Sequence, residues 1–206
     1  MRSQIQWFFG RKHLSDSTLA NSADTIDNLL GSLAGQTVAI VGNSRALSDA
    51  AHGAAIDAAD IVIRINRAPM PSTVSHGTRT DWLALATSLA PTEHRKLNPS
   101  RTLWMSHKRK RLRRWMTQTN GFYLHPIAAH RVLFDELTAP PTTGLMIIDL
   151  VSRSQAHSAN IYGFDFFQSK SLTGSRSAAQ VPHDFSAEKN WVNRLIDRDA
   201  RFTINI

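Results

Sequence analysis

Residues 37–44 read Thr-Val-Ala-Ile-Val-Gly-Asn-Ser, an apolar run closed by a glycine and two small polar side chains. An unbroken run of this kind suits a strand buried on both faces, and parallel sheets bury both faces beneath crossover helices. A second unit of the same design follows at residues 60–65, Asp-Ile-Val-Ile-Arg-Ile, and ends at Asn66. A short helix is expected between them over residues 48–59. Further strands are expected over residues 81–86, 101–105, 122–124, 160–162 and 202–206. Helices are expected over residues 15–33, 107–118, 126–137 and 144–156, with a last one capped by Asp184 or Ser186 and running to about residue 198. The alternation predicts an α/β fold: one Rossmann-like domain, a mostly parallel sheet flanked by helices. Residues 1–36 form an N-terminal segment whose amphipathic helix aligns Leu19, Ile26, Leu29, Leu30 and Leu33 and stops at Gly35. Residues 37–206 form the main domain.

Composition bounds this reading. The chain has 206 residues, 42% of them hydrophobic and 19% charged, enough for a core and unlike a disordered chain. It has no cysteine, which excludes disulfides, thiolate catalysis and Cys-based zinc sites and fits a reducing cytoplasm. No stretch approaches the roughly 20 apolar residues of a membrane helix. The patch Trp7-Phe8-Phe9, followed by Arg11 and Lys12, reads either as a terminus docked on the domain or as a weak interfacial anchor. The net charge of +8 favours polyanions as partners: nucleic acid, anionic lipid or acidic glycan.

In open α/β sheets ligands bind at the carboxyl ends of the strands, and the polar signals fall there. Gly42 permits close backbone approach, and Asn43 offers a donor and an acceptor, as a base or ribose requires. Neither a G-x-G-x-x-G nor a Walker A pattern is present, which disfavours ordinary dinucleotide and P-loop binding. Thr142, Thr143 and Gly144 open a helix after Pro140-Pro141, where hydroxyls and first-turn N–H groups make an anion site suited to phosphate. His183 precedes a helix whose first turn holds Glu188, and an imidazole can accept a proton near neutral pH. Each signal also has a plain structural explanation: an Asx-capped turn, a helix cap, a surface histidine. The run from Lys108 to Arg114, with Trp104 and Trp115 beside it, is a solvated helix face or a polyanion-binding one.

Taken together, these segments resemble the sialyltransferases of glycosyltransferase family 29. Residues 38–44, 55–57 and 63–69, with the tail Gly77-Thr-Arg-Thr80, are similar to that family's large motif. Pro141-Thr-Thr-Gly-Leu145, followed by Ile161-Tyr-Gly-Phe164, is similar to its small motif, and His183 with Glu188 to its very small motif. The resemblance implies a variant of the GT-A fold, with residues 37–206 as a CMP-sugar transferase-like catalytic domain. It implies no cofactor and no metal. Asn43, Ser44 and Asn66 would hold the CMP donor. Thr142, Thr143 and Gly144 would line the ribose and phosphate site, and Gly163 and Phe164 would lie near the cytidine. His183 would be the general base and Glu188 a structural brace.

The resemblance also implies a disulfide in animal members, whose positions here are Val38 and Ala156. It calls for an aromatic-flanked histidine that residues 166–181 lack, where Lys170, Ser175 and Arg176 are the available polar groups. The expected activity is metal-independent, inverting transfer of sialic acid, Kdo or a related acidic sugar from CMP to a glycan hydroxyl. The expected partners are an anionic glycan or lipid-linked acceptor, with peripheral contact to the inner membrane face. Two alternatives stand beside it: a CMP-binding chain that no longer catalyses, and a nucleic-acid-binding module using the basic run. The second leaves Asn43, Asn66, Thr143 and His183 unexplained.

Overall fold

The computed structural model describes residues 23–166, Leu172 and 181–205. The patch Trp7-Phe8-Phe9, the first part of the helix expected over residues 15–33, and Lys170, Ser175 and Arg176 lie outside the described residues. Seven strands make one sheet among those described: β1 (Thr37–Val41), β2 (Ile61–Ile65), β3 (Trp82–Leu85), β4 (Arg101–Trp104), β5 (Phe122–Leu124), β6 (Ser158–Tyr162) and β7 (Phe202–Asn205). Their spatial order is β5-β4-β3-β2-β1-β6-β7, and every adjacent pair is parallel.

The helices are α1 (Ile26–Gly31), α2 (Gly53–Asp57), α3 (Thr73–His76), α4 (Pro91–Leu97), α5 (Ile127–Leu137), α6 (Thr143–Ser152) and α7 (Phe185–Arg198). They explain why β1 has no polar face. Val38 and Ile40 pack into one layer with Leu145, Ile148 and Val151 of α6. Ala39 and Val41 pack into the other with Ile56, Val62 and Tyr162. Val38 and Ala156, where the family resemblance puts a disulfide, are both buried in the first of these apolar layers.

The strand order positions the site. From β1 the chain steps outward through β2 to β5, then crosses back to lay β6 and β7 on the far side of β1. Connections leaving β1 and β6 therefore diverge, and in open α/β sheets ligands bind at the carboxyl ends of such neighbours. The second half of the large-motif resemblance braces the adjoining strand. The Arg64 guanidinium, 1% exposed, donates to the carbonyls of His76 and Arg79. Burial lowers its pKa to about 10, a fall opposed by Asp57 and Asp81. The Asp57 carboxylate accepts hydrogen bonds from the Thr78 N–H and hydroxyl and from the Arg79 N–H, fixing the Gly77–Arg79 turn.

Several expected elements differ. Residues 107–118 do not form a helix: two 3-10 turns, Arg109–Arg111 and Met116–Gln118, flank an extended Leu112 (φ −65°, ψ 132°). Six of the seven residues 108–114 are cationic, and an α-helix would stack like charges three and four apart. Instead Leu112 and Met116 enter the apolar layer of Leu83, Leu85 and Trp104. The helix expected over residues 48–59 divides into a 3-10 turn at Arg45–Asp49 and α2. The helix expected over residues 144–156 ends at Ser152. Within the described residues, the helix expected over 15–33 starts only after the Thr25 cap. Helices α3 and α4 were not expected. Helix α4 carried a readable start, with Pro91 at its first position and the Glu93 carboxylate accepting from the Ala90 N–H at 3.1 Å.

Candidate active site

The exits of β1 and β6 are sewn together by backbone. The Gly42 N–H donates to the Tyr162 carbonyl at 2.8 Å and the Ser44 N–H to the Gly163 carbonyl at 3.1 Å. The Phe164 ring lies against Gly42 on one side and Gly144 on the other, so close that a Cβ at either glycine would overlap it. Two glycines thus let an aromatic ring join the β1 exit to the first turn of α6.

The exits of β1 and β2 are joined through asparagine. The Asn43 side-chain amide donates to the Ile65 carbonyl at 3.2 Å. Asn66 adopts φ 53°, a left-handed conformation that asparagine tolerates better than most residues. Its Oδ1 accepts from the Ala86 N–H at 3.0 Å. Asn43 Oδ1 and Asn66 Nδ2 have no hydrogen bond among the described residues. Ser44 caps the following 3-10 turn, its hydroxyl oxygen accepting from the Ala46 N–H at 3.2 Å.

Helices α6 and α7 meet at Thr142 and Glu188. The Thr142 hydroxyl oxygen accepts from the Leu145 N–H at 3.1 Å. The same hydroxyl donates to Glu188 Oε2 at 2.8 Å, and the Thr142 N–H donates to Oε1 at 2.7 Å. The Thr142 side chain is thus engaged on both sides, leaving the first-turn N–H groups of Thr143 and Gly144 without intrahelical partners. Glu188 is 4% exposed. Burial pushes its carboxyl up to about 7, against the two Thr142 hydrogen bonds.

His183 stands just before the Asp184 cap of α7, with Nδ1 2.7 Å from the Pro140 carbonyl. A carbonyl only accepts, so Nδ1 carries the proton and Nε2 of the neutral ring keeps its lone pair. The expected residues therefore form one chain of contacts. It runs from Asn66 through Ile65 to Asn43, across Gly163 and Phe164 to Gly144, and through Thr142 and Glu188 to the helix that follows His183.

Residues 16–119 match the sequence profile of glycosyltransferase family 29 (sialyltransferase), half of the chain. This chain belongs to glycosyltransferase family 29. Two mammalian sialyltransferase structures resemble the family 29 chain. One, in complex with Gal-beta-1-3GalNAc-ortho-nitrophenol, has 17% identity and a TM-score of 0.60, covering 100% of this chain and 86% of that one. The other has 16% identity and a TM-score of 0.61, covering 100% and 85%. The sialyltransferase CstII from Campylobacter jejuni, in complex with the substrate analogue CMP-3FNeuAc, has 14% identity and a TM-score of 0.50, covering 82% and 78%. At these identities the likeness is one of fold. Among curated proteins nothing matches the chain.

In this family 29 glycosyltransferase, sequence reasoning missed a group beyond β4 and β5. His107 Nδ1 and His130 Nε2 are 3.0 Å apart. His130 is lowered to about 4, first by burial, then by His107, Arg109 and His183. His125, 3% exposed, has no hydrogen-bond partner on either ring nitrogen among the described residues, and burial lowers it to about 3. The Arg109 guanidinium donates to the carbonyls of Ser106 at 2.7 Å and His125 at 2.6 Å. Nothing in the spacing of nine histidines marks these three. Among the described residues no cluster of three or more His, Asp or Glu is placed to hold a metal ion, and no helix is long and apolar enough to cross a membrane.

Proposed function

We propose that this glycosyltransferase moves an acidic sugar, of the sialic acid or Kdo kind, from a CMP donor to a glycan hydroxyl with inversion and without a metal. The observation that carries the reading is the continuous chain of contacts from Asn66 to His183 around the carboxyl ends of β1, β2 and β6. Asn43 Oδ1 and Asn66 Nδ2 offer an acceptor and a donor to the cytidine part, with Ser44 shaping the turn and Gly163 and Phe164 forming its wall. The N–H groups of Thr143 and Gly144, at the positive end of a ten-residue helix, receive the phosphate.

As the bond between the anomeric carbon and the phosphate oxygen breaks, negative charge grows on CMP, and fixed N–H dipoles stabilise it. The acceptor oxygen attacks the opposite face of the anomeric carbon, and its proton passes to His183 Nε2. Thr142 and Glu188 hold α6 against α7, so the phosphate site and the base keep their spacing.

A thermal-shift panel tests the nucleotide. CMP at 100 times its Kd stabilises the fold by about 2.7 kcal/mol, while UMP, GMP and AMP do less. Equal shifts with all four end the CMP reading. His183→Ala tests the base: transfer falls by roughly 10²–10⁴-fold while the CMP shift is retained.

A further inference from the structure

We propose that the loop between β4 and β5 is a handle for an anionic saccharide acceptor, gripping its carboxylate or phosphate groups while the reacting hydroxyl reaches His183. The proposal rests on the transferase reading above and names the acceptor's chemistry.

The loop leaves the carboxyl end of β4, on the same rim as Asn43 and Asn66. At about 4.8 Å per strand, two strand spacings put it about 10 Å from the β2 exit. Its cations divide by role. Arg109 is 9% exposed and bonds to the Ser106 and His125 carbonyls, tying the loop to the ends of both strands. Leu112 and Met116 anchor it in the apolar layer. Lys108, Lys110, Arg111 and Arg113 are exposed, and none is ion-paired among the described residues. Four like charges are thus held outward on a pinned scaffold, which raises the local concentration of an anion. The loop also connects to the proposed base: His107, beside Lys108, contacts His130, which lies within electrostatic reach of His183.

The same details select among polyanions. A membrane-seeking basic loop carries exposed apolar side chains to enter the interface, but here Leu112 and Met116 are buried and Trp115 packs edge-on against His94. Single-stranded nucleic acid needs exposed aromatic platforms, and Trp104 is fully buried. Separated carboxylates or phosphates on a flexible saccharide need only the cations.

The test measures binding of tri-galacturonic acid, neutral galactotriose, phosphatidylglycerol vesicles and a single-stranded oligonucleotide to the whole chain at low and moderate salt. Tri-galacturonate is expected to bind, more weakly as salt rises, and galactotriose to bind at least about tenfold more weakly. The double variant Lys110→Glu/Arg111→Glu loses about tenfold in tri-galacturonate affinity. Lys110→Gln/Arg111→Gln shows a smaller loss, so misfolding of the first does not decide the result. Equal binding of acidic and neutral trimers overturns the proposal. So does tri-galacturonate binding that both variants leave unchanged, or preferential binding of vesicles or oligonucleotide that the variants abolish. CMP stabilisation, read on the unmodified chain, is a separate arm: its absence removes the donor reading, whereas a failed trimer arm with CMP stabilisation intact removes only the acceptor handle.

Discussion

The two halves of the carboxyl rim are built on opposite plans. At the exits of β1 and β2 and at the start of α6 the described backbone is close-packed, and the functional groups are small: glycines, asparagines, a threonine cap. At β4 and β5 the connection spans residues 105–121, lacks a regular helix, and holds its shape through one internal arginine and two apolar anchors. Close-packed small groups suit a ligand of fixed shape, such as the proposed nucleotide. The basic half fixes its backbone but leaves its cations loose, which suits a variable partner. The first half should therefore tolerate no added volume, and the second should tolerate surface change while failing if its internal anchor goes.

The largest expected effect is at the Phe164 slot. Gly144→Val places a branched side chain where the ring sits, and overpacking there costs about 3 kcal/mol, read as a lowered urea midpoint together with loss of the CMP thermal shift. An unchanged midpoint would break the contrast between the halves. Arg109→Met comes next. It leaves the Ser106 and His125 carbonyls without their guanidinium, a cost of about 2 kcal/mol, whereas Lys110→Gln on the same loop should change stability by less than about 0.5 kcal/mol.

Two pH effects are smaller and opposite in sign. Glu188 binds its proton more tightly folded than unfolded, so its contribution is complete below about pH 4.5 and is lost as pH rises towards 7. Glu188→Gln should flatten that decline, by up to about 1.4 kcal/mol per pH unit within the window. His125 is held neutral, so the unfolded chain takes up the proton first and stability falls as pH drops from 6.5 towards 3. His125→Leu should remove up to about 1.4 kcal/mol per unit of that acid sensitivity, followed by denaturant midpoints at stepped pH. A variant with the parent's acid slope would place the unpartnered imidazole elsewhere.

Much of the fold was written in local pattern. The runs at Thr37–Val41 and Ile61–Ile65 announce strands because burial on both faces permits only apolar side chains. The Asp184 cap and Pro126 mark helix starts because first-turn groups need partners or a preset φ. The short helices α3 and α4 were too brief to carry a period. The stretch 107–118 misled because propensity favours a helix, while like-charge crowding, the burial of Leu112 and the Arg109 hydrogen bonds across to β5 favour turns.

For the site, sequence alone determined which residue types stand at the strand ends, and with them the family resemblance. Only the tertiary structure decided how they are joined: that Phe164 is clasped by Gly42 and Gly144, that Glu188 is engaged by Thr142, and that His107, His125 and His130 gather beyond β4 and β5. The contacts of Phe164 with the two glycines, of Glu188 with Thr142 and of His107 with His130 link residues 20 to 122 positions apart. No local pattern encodes them, because each follows from the order in which the strands lie side by side and from which side chains must share the space between them.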